Sequence, residues 1–383
     1  MNCSGSIISI RPAPLRFSGG RRARAVACSG LALFLGLALI DAASACTTFC
    51  MRDGDAWIFG RNLDWSVEDG LVVVNKRGVA KTALTTDRPA RWTSRYGSIT
   101  FNQYGREFPM GGMNEAGLVV ECLWLNVSEY PSPDDRAGLS ALQWIQYQLD
   151  TAASIAEIMA SDAEIRISND GNSPLHFLVC DRRCGCASIE FLSGRMVVHA
   201  GAEMPITALT NNTYAASLAF WKACGGDEGS SVFRATESYS LKRFFWAAEG
   251  VRAASDIDPA AKVDHAFSIL EKAGVGRTQW SIVYDCGAGT IHFLTRNQPS
   301  RRRLELDTFD FDCREPVLVL DMGRPGAGDV RDDFGAYTFT ANRDLVRSAY
   351  AQTDFLKDVP EELLLTVARY PESTRCGRRD QSH

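Results

Sequence analysis

Two strand-like runs, residues 46–51 and 56–63, enclose Arg52-Asp-Gly-Asp55. A glycine between two aspartates at that spacing is a strong hairpin signal, because a two-residue turn needs positive φ, which glycine adopts without steric cost. The chain must therefore fold back on itself at once, and the rest of the molecule must accommodate an antiparallel pair with Cys46 at its open end. If Asp53 and Gly54 form the turn, Arg52 faces Asp55 and the ladder sets Cys46 opposite Arg61. Directly opposed residues share a face with Cβ atoms about 5 Å apart, so the guanidinium reaches the thiol. A permanent cation there favours thiolate and raises nucleophilicity. A bulge would break this register.

What precedes the hairpin gives Cys46 a second meaning. Arg11, Arg16, Arg21, Arg22 and Arg24 lead into an apolar run from Ala25 to Ile40, followed by Asp41-Ala-Ala-Ser-Ala45. Basic residues, a short apolar core and small residues at Ala43 and Ala45 are the order of a secretory signal peptide, cut after Ala45 to leave Cys46 first. Two rival readings remain: an uncleaved anchor, and lipidation at Ala43-Ser-Ala-Cys46, which would make the chain a membrane-tethered binding protein with a blocked amine. On the cleaved reading the protein is exported, periplasmic or secreted, with no stable membrane association. Losing five arginines and one aspartate takes the formal charge from −5 to −9, which argues against nucleic-acid binding. Ten of twelve cysteines lie beyond residue 45, and an exported compartment permits pairing among them, with Cys180, Cys184 and Cys186 as candidates and the connectivity open. Zinc is the weaker reading of this cluster, since no second cysteine or histidine pair follows at finger spacing.

Further strands are expected near 71–75, 117–125, 176–180, 186–191, 195–199, 280–285 and 290–295. Helical periodicity marks 139–150, a segment after a capping box at Ser154 and Glu157, then 213–223, 239–252 and 259–273. Antiparallel hairpins with helical pairs between them specify an α+β protein rather than a βαβ alternation. One main domain, 46–314, follows the removed segment 1–45; residues 315–383 form a C-terminal extension with two short helical patterns, packed on the same domain.

A cysteine at a new N-terminus carries its own base, because an α-amino group with a pKa of about 7.7–8.0 can take the thiol proton. No histidine is then required. His176, His199, His265, His292 and His383 carry no local cysteine-protease signature, although a papain-like partner could still arrive from a distance.

The run Cys46-Thr-Thr-Phe with Gly60-Arg-Asn-Leu-Asp64-Trp65 resembles the opening of the choloylglycine hydrolase family, which includes penicillin V acylases and bile salt hydrolases. Gly112-Met-Asn-Glu-Ala-Gly-Leu118, Leu175-His-Phe, Leu209-Thr-Asn211 and Leu241-Lys-Arg243-Phe resemble its later segments in the same order. The resemblance implies the four-layer αββα sandwich of the N-terminal-nucleophile hydrolases and hydrolysis of a linear amide. It further implies Cys46 as nucleophile, Arg61 and Asp64 as a charged pair beside it, Asn211 as oxyanion donor with a backbone N–H near Trp124, and Arg243 as a late site arginine, with Arg234 a competing alignment. This chemistry needs no metal or cofactor. Trp124 stands where bile salt hydrolases carry asparagine, a departure that resembles the Gram-negative penicillin V acylase branch. The expected substrate is a small-molecule amide with a compact apolar acyl chain, of penicillin V or N-acyl homoserine lactone type, walled by Trp65 and Trp124; bile salt hydrolysis is the alternative. The oligomeric state stays open, homo-oligomers included.

Overall fold

The computed structural model describes residues 46–54, 56–168, 173–182 and 185–377. Residues 1–45, where a targeting segment is expected, together with Asp55, Cys184 and His383 lie outside the described residues. The hairpin forms from strands Thr47–Asp53 and Ala56–Asp64, but Thr48, not Cys46, stands opposite Arg61. The register is displaced by two because Asp53 pairs with Ala56, so Gly54, with φ of +57°, takes the first turn position in place of Asp53. An even displacement preserves the face, since side chains alternate with period two. Cys46, Cys50 and Arg61 therefore still share one side of the sheet, and Asn62 and Asp64 point to the other.

These two strands occupy the middle of a seven-stranded sheet. Its order is Ala208–Leu209, Thr47–Asp53, Ala56–Asp64, Thr278–Asp285, Thr290–Thr295, Arg302–Glu305 and Gly328–Asp329. A nine-stranded sheet runs Arg195–Ala200, Gly185–Leu192, Leu175–Asp181, Val119–Trp124, Gly111–Asn114, Ser98–Asn102, Leu71–Asn75, Leu318–Asp321 and Gly335–Ala336. The two sheets face each other, and a disulfide between Cys50 and Cys186 joins them. Helices Tyr239–Ala253 and Lys262–Ala273 cover the outer face of the seven-stranded sheet, and Ala141–Thr151 covers the other sheet. The layers thus read helix, sheet, sheet, helix, the α+β architecture expected from the sequence. Strands buried on both faces explain the unbroken burial of Leu175–Asp181 and Val119–Leu123.

Helix ends follow local chemistry. Ser140, Ser154, Thr213, Ser230 and Ser238 each accept a backbone N–H of the following first turn. The capping box at Ser154 is half formed: Glu157 reaches back to the N–H of Ala153, one residue before the cap. The C-terminal extension supplies strand Leu318–Asp321, which pairs with Leu71–Asn75, and helices Phe339–Gln352 and Glu361–Arg369. A second disulfide, Cys313–Cys376, pins its end. Among the described residues, no helix is long and apolar enough to cross a membrane.

Candidate active site

Cys46 sits at the mouth of the sandwich, almost fully buried, and lines a cavity of about 290 Å³. Its neighbours come from four elements. Arg61 and Asp64 ride on the paired strand Ala56–Asp64, and because they differ by an odd number they approach from opposite faces. Arg61 faces the inter-sheet space, whereas Asp64 turns toward helix Tyr239–Ala253 and its Arg243. Asn211 follows the short strand Ala208–Leu209, which pairs with strand Thr47–Asp53. Trp124 ends a strand of the opposite sheet.

Burial pushes the Cys46 thiol above its ordinary range; Arg61, a hydrogen bond from the Asp64 backbone and Arg243 oppose this, while the Asp64 charge adds to it. With its nitrogen in the peptide bond to Ala45, Cys46 has no amine to accept the proton. The thiol in the uncleaved chain is therefore protonated at neutral pH. Cys122 lines the same cavity, and burial pushes it up to about 12, so it is the less reactive of the two.

Arg61 and Asp64 do not pair with each other; they stand beside Cys46 with separate partners. Arg61 Nη1 contacts Glu121 on the opposite sheet and donates to the Met110 carbonyl at 3.3 Å, and Glu121 also accepts from the Tyr284 hydroxyl. Arg61 and Glu121 are both wholly buried, so each is the other's counter-ion in a medium that disfavours either charge alone. Glu121 was missed in the sequence, although its signal is visible: one carboxylate within the apolar run Val119-Val-Glu-Cys-Leu-Trp124. Gly111 lies against it, and a Cβ there would collide with the carboxylate.

Asp64 accepts from Thr278 through Oδ1 and leaves Oδ2 buried without a hydrogen-bond partner, with Arg243 Nη1 3.9 Å away. Burial holds its carboxyl up at about 6. Arg243 donates to the Cys46 carbonyl, to Thr47 Oγ1 at 2.8 Å and, through Nη2, to Asn211 Oδ1 at 2.7 Å. That geometry separates the two arginines left open by the sequence, since Arg234 is exposed on helix Ser231–Ala235. An arginine cannot accept, so Asn211 must turn its oxygen toward Arg243 and its amide outward. One of its N–H groups goes to the Trp124 carbonyl at 2.9 Å, and the other has no hydrogen-bond partner among the described residues. The neighbouring Leu125 N–H already donates to the Pro174 carbonyl at 2.9 Å and is not free to serve as a second donor.

His176 is not a partner of Cys46. It is buried between the Thr210 carbonyl, 2.7 Å from Nε2, and Glu190, and thereby fixes the loop carrying Asn211. No histidine among the described residues lines the Cys46 cavity.

Trp65 and Trp124 form one wall, their ring centroids 5.8 Å apart. Each indole N–H is tied down, Trp65 to the Tyr104 hydroxyl at 2.7 Å and Trp124 to Asn126 Oδ1 at 2.6 Å, which leaves the ring faces for apolar contact. The C-terminal extension closes the cavity with Tyr350, Phe355 and Val367, a contribution no sequence motif signalled. Phe355 lies within ring-contact distance of both tryptophans while remaining half exposed.

Comparison with known proteins bears on the family and the fold. Penicillin V acylase from Pectobacterium atrosepticum is 27% identical over 353 residues, covering 79% of this chain and 92% of that protein. The structure of penicillin V acylase from Agrobacterium tumefaciens superposes with a TM-score of 0.67 at 24% identity, over 76% of this chain and 98% of the other. A mutant conjugated bile acid hydrolase from Clostridium perfringens gives 0.58 at 16% identity, over 74% and 98%. These neighbours share the N-terminal-nucleophile hydrolase fold. The model for linear amide C-N hydrolases, choloylglycine hydrolase family, matches residues 46–262, more than half of the sequence. The chain belongs to the choloylglycine hydrolase family and is a hydrolase of linear amide carbon–nitrogen bonds.

Proposed function

We propose that Cys46 becomes the N-terminal nucleophile when residues 1–45 are removed on export. The observation that carries this reading is a buried thiol at the end of an apolar cavity, with a cation on one side and, on the other, a carboxylate oxygen without a hydrogen-bond partner among the described residues. Cleavage converts the Cys46 amide into an amine, and Asp64 Oδ2 is the acceptor that an ammonium there requires. The sulfur attacks the substrate carbonyl carbon while the α-amino group takes the thiol proton and then delivers it to the departing nitrogen. Water hydrolyses the resulting thioester. Arg61 holds the developing sulfur charge, Arg243 fixes the Cys46 carbonyl and the Asn211 side chain, and the remaining Asn211 N–H receives the oxyanion.

The substrate is an amide joining a compact hydrophobic or aromatic acyl chain to a small polar amine, of penicillin V or N-acyl homoserine lactone type. A cavity of about 290 Å³ lies at the small end of ligand sites, roughly 300–1,000 Å³, and its walls are apolar. A rigid four-ring bile acid suits this volume less well, and Trp124 stands where bile salt hydrolases carry asparagine. The extension 315–383 acts with the main domain by closing the acyl end. The test is Cys46→Ala and Cys46→Ser in protein of verified N-terminus: amide hydrolysis is lost, whereas unchanged turnover rejects the assignment. Preference for glycine- or taurine-conjugated bile acids over phenoxyacetyl and acyl-lactone amides would reject the substrate reading alone.

A further inference from the structure

Four cysteines remote from the chemistry meet between the sheets. Cys50 and Cys186 are bonded, and Cys180, opposite Cys186 in its hairpin, has its sulfur within 4.8 Å of both. The Cys180 thiol also lies within hydrogen-bonding reach of Cys286, which directly follows strand Thr278–Asp285. Like the existing bridge, this pair joins the nine-stranded sheet to the seven-stranded one. Cys180 is sealed on all sides, and burial raises its pKa well above the ordinary range. Cys286 differs in one respect: it borders a second cavity of about 400 Å³, which it shares with Arg77, Glu115, Arg182 and Asp307. That cavity has no lining residue in common with the one at Cys46.

We propose that Cys286 and Cys180 form a redox pair entered from this second cavity, oxidised by a small-molecule disulfide to a second covalent bridge between the sheets. Cys286, after losing its proton, attacks one sulfur of the incoming disulfide and expels the first small thiolate, which takes up a proton. Cys180 then gives up its proton, attacks the Cys286 sulfur and expels the second thiolate. Two cysteines are oxidised by two electrons, and one disulfide is reduced to two thiols. The order follows from access: Cys286, though buried, borders the cavity that brings the reagent, and Cys180, within hydrogen-bonding reach of it, resolves the mixed disulfide.

The experiment is a non-reducing peptide map of the full chain, as purified and after incubation with oxidised glutathione, with free thiols alkylated under denaturing conditions. A peptide linking Cys180 to Cys286 is expected in the oxidised sample, beside an intact Cys50–Cys186 link. Cys180→Ser halts the reaction at a glutathione adduct on Cys286, and Cys286→Ser gives neither adduct nor bridge. Recovery of both cysteines alkylated in every wild-type sample overturns the proposal. So does a rearranged Cys180–Cys186 link, or a metal ion found by elemental analysis on Cys50, Cys180 and Cys186. The wild-type map decides on its own if either variant fails to fold.

Discussion

Replacing Glu121 by glutamine keeps the shape of the buried Arg61 site and removes only its counter-charge. Arg61 and Glu121 have no exposed side-chain surface, and Arg61 Nε and Nη2 have no hydrogen-bond partners to share the load. Breaking a buried pair by removing one partner costs about 3–5 kcal/mol, most of it from the charge left behind. With about 330 residues from Cys46 to Gly377 and an unfolding entropy of about 2.1 cal/mol/K per residue, Glu121→Gln lowers Tm by roughly 4–7 °C. The assay is calorimetry with matching urea curves above the value of about 7 to which burial raises Glu121, so that the carboxylate is ionised; a change of midpoint at constant slope isolates stability. A second variant, Arg61→Met with Glu121→Leu, replaces both charges with apolar volume and recovers most of the loss. Since Glu121 does not line the cavity, KM for an acyl substrate stays unchanged in Glu121→Gln. A single variant within about 1 kcal/mol of wild type, or a double variant as unstable as the single one, would refute the argument that Glu121 exists to neutralise Arg61.

Trp65→Ala and Trp124→Ala raise KM for acyl-chain substrates while Cys46 remains alkylatable, as steady-state kinetics and thiol labelling will report. Asn211→Ala lowers kcat about 100- to 1,000-fold with little change in KM, the signature of a donor used in the transition state. Removing the Cys50–Cys186 bridge by alanine at both positions opens a loop spanning 136 residues; chain entropy sets an upper bound of about 5 kcal/mol on the loss of stability, measured by urea midpoint. In the uncleaved chain Asp64 holds its proton up to about 6 against an ordinary value of 3.8, so its contribution to stability is complete below 3.8 and is lost as pH rises through 6. Asp64→Asn abolishes that slope, and an unchanged pH profile would exclude Asp64 as its source.

Legibility in the sequence followed the range of the interactions. The first hairpin and most strands are written as period-two patterns between turn residues, and the α+β class follows from them, whereas the four-layer stacking was implied by the family resemblance. The register was displaced by two because either Asp53 or Gly54 can head the turn, a choice made by φ at one residue. Strands Ser98–Asn102 and Gly111–Asn114 were not anticipated, since a pair of glycines and a short polar alternation resemble loop. Strand Leu318–Asp321 was hidden in Pro/Gly-rich punctuation and gains its order from Leu71–Asn75, far away in the chain. The residues about Cys46 were recognisable by motif, but their partners were not. Arg61 finds Glu121 sixty positions on and in the other sheet, and Arg243 finds Asn211 and the Cys46 carbonyl through helix packing. Such pairings depend on sheet stacking, which no local pattern encodes. The same holds for the cysteines: Cys186 was a candidate for pairing with its connectivity open, and its partner is Cys50, on the other sheet.

The central claim is that a free amine on Cys46 supplies the base, and the intact mass of the active, exported protein tests it most directly. The account predicts a mature chain beginning at unmodified Cys46, whose mass rises by one acyl group when turnover is quenched with a slow amide substrate. A diacylglyceryl group on Cys46, or full activity in a chain that still retains Ala45, would contradict it.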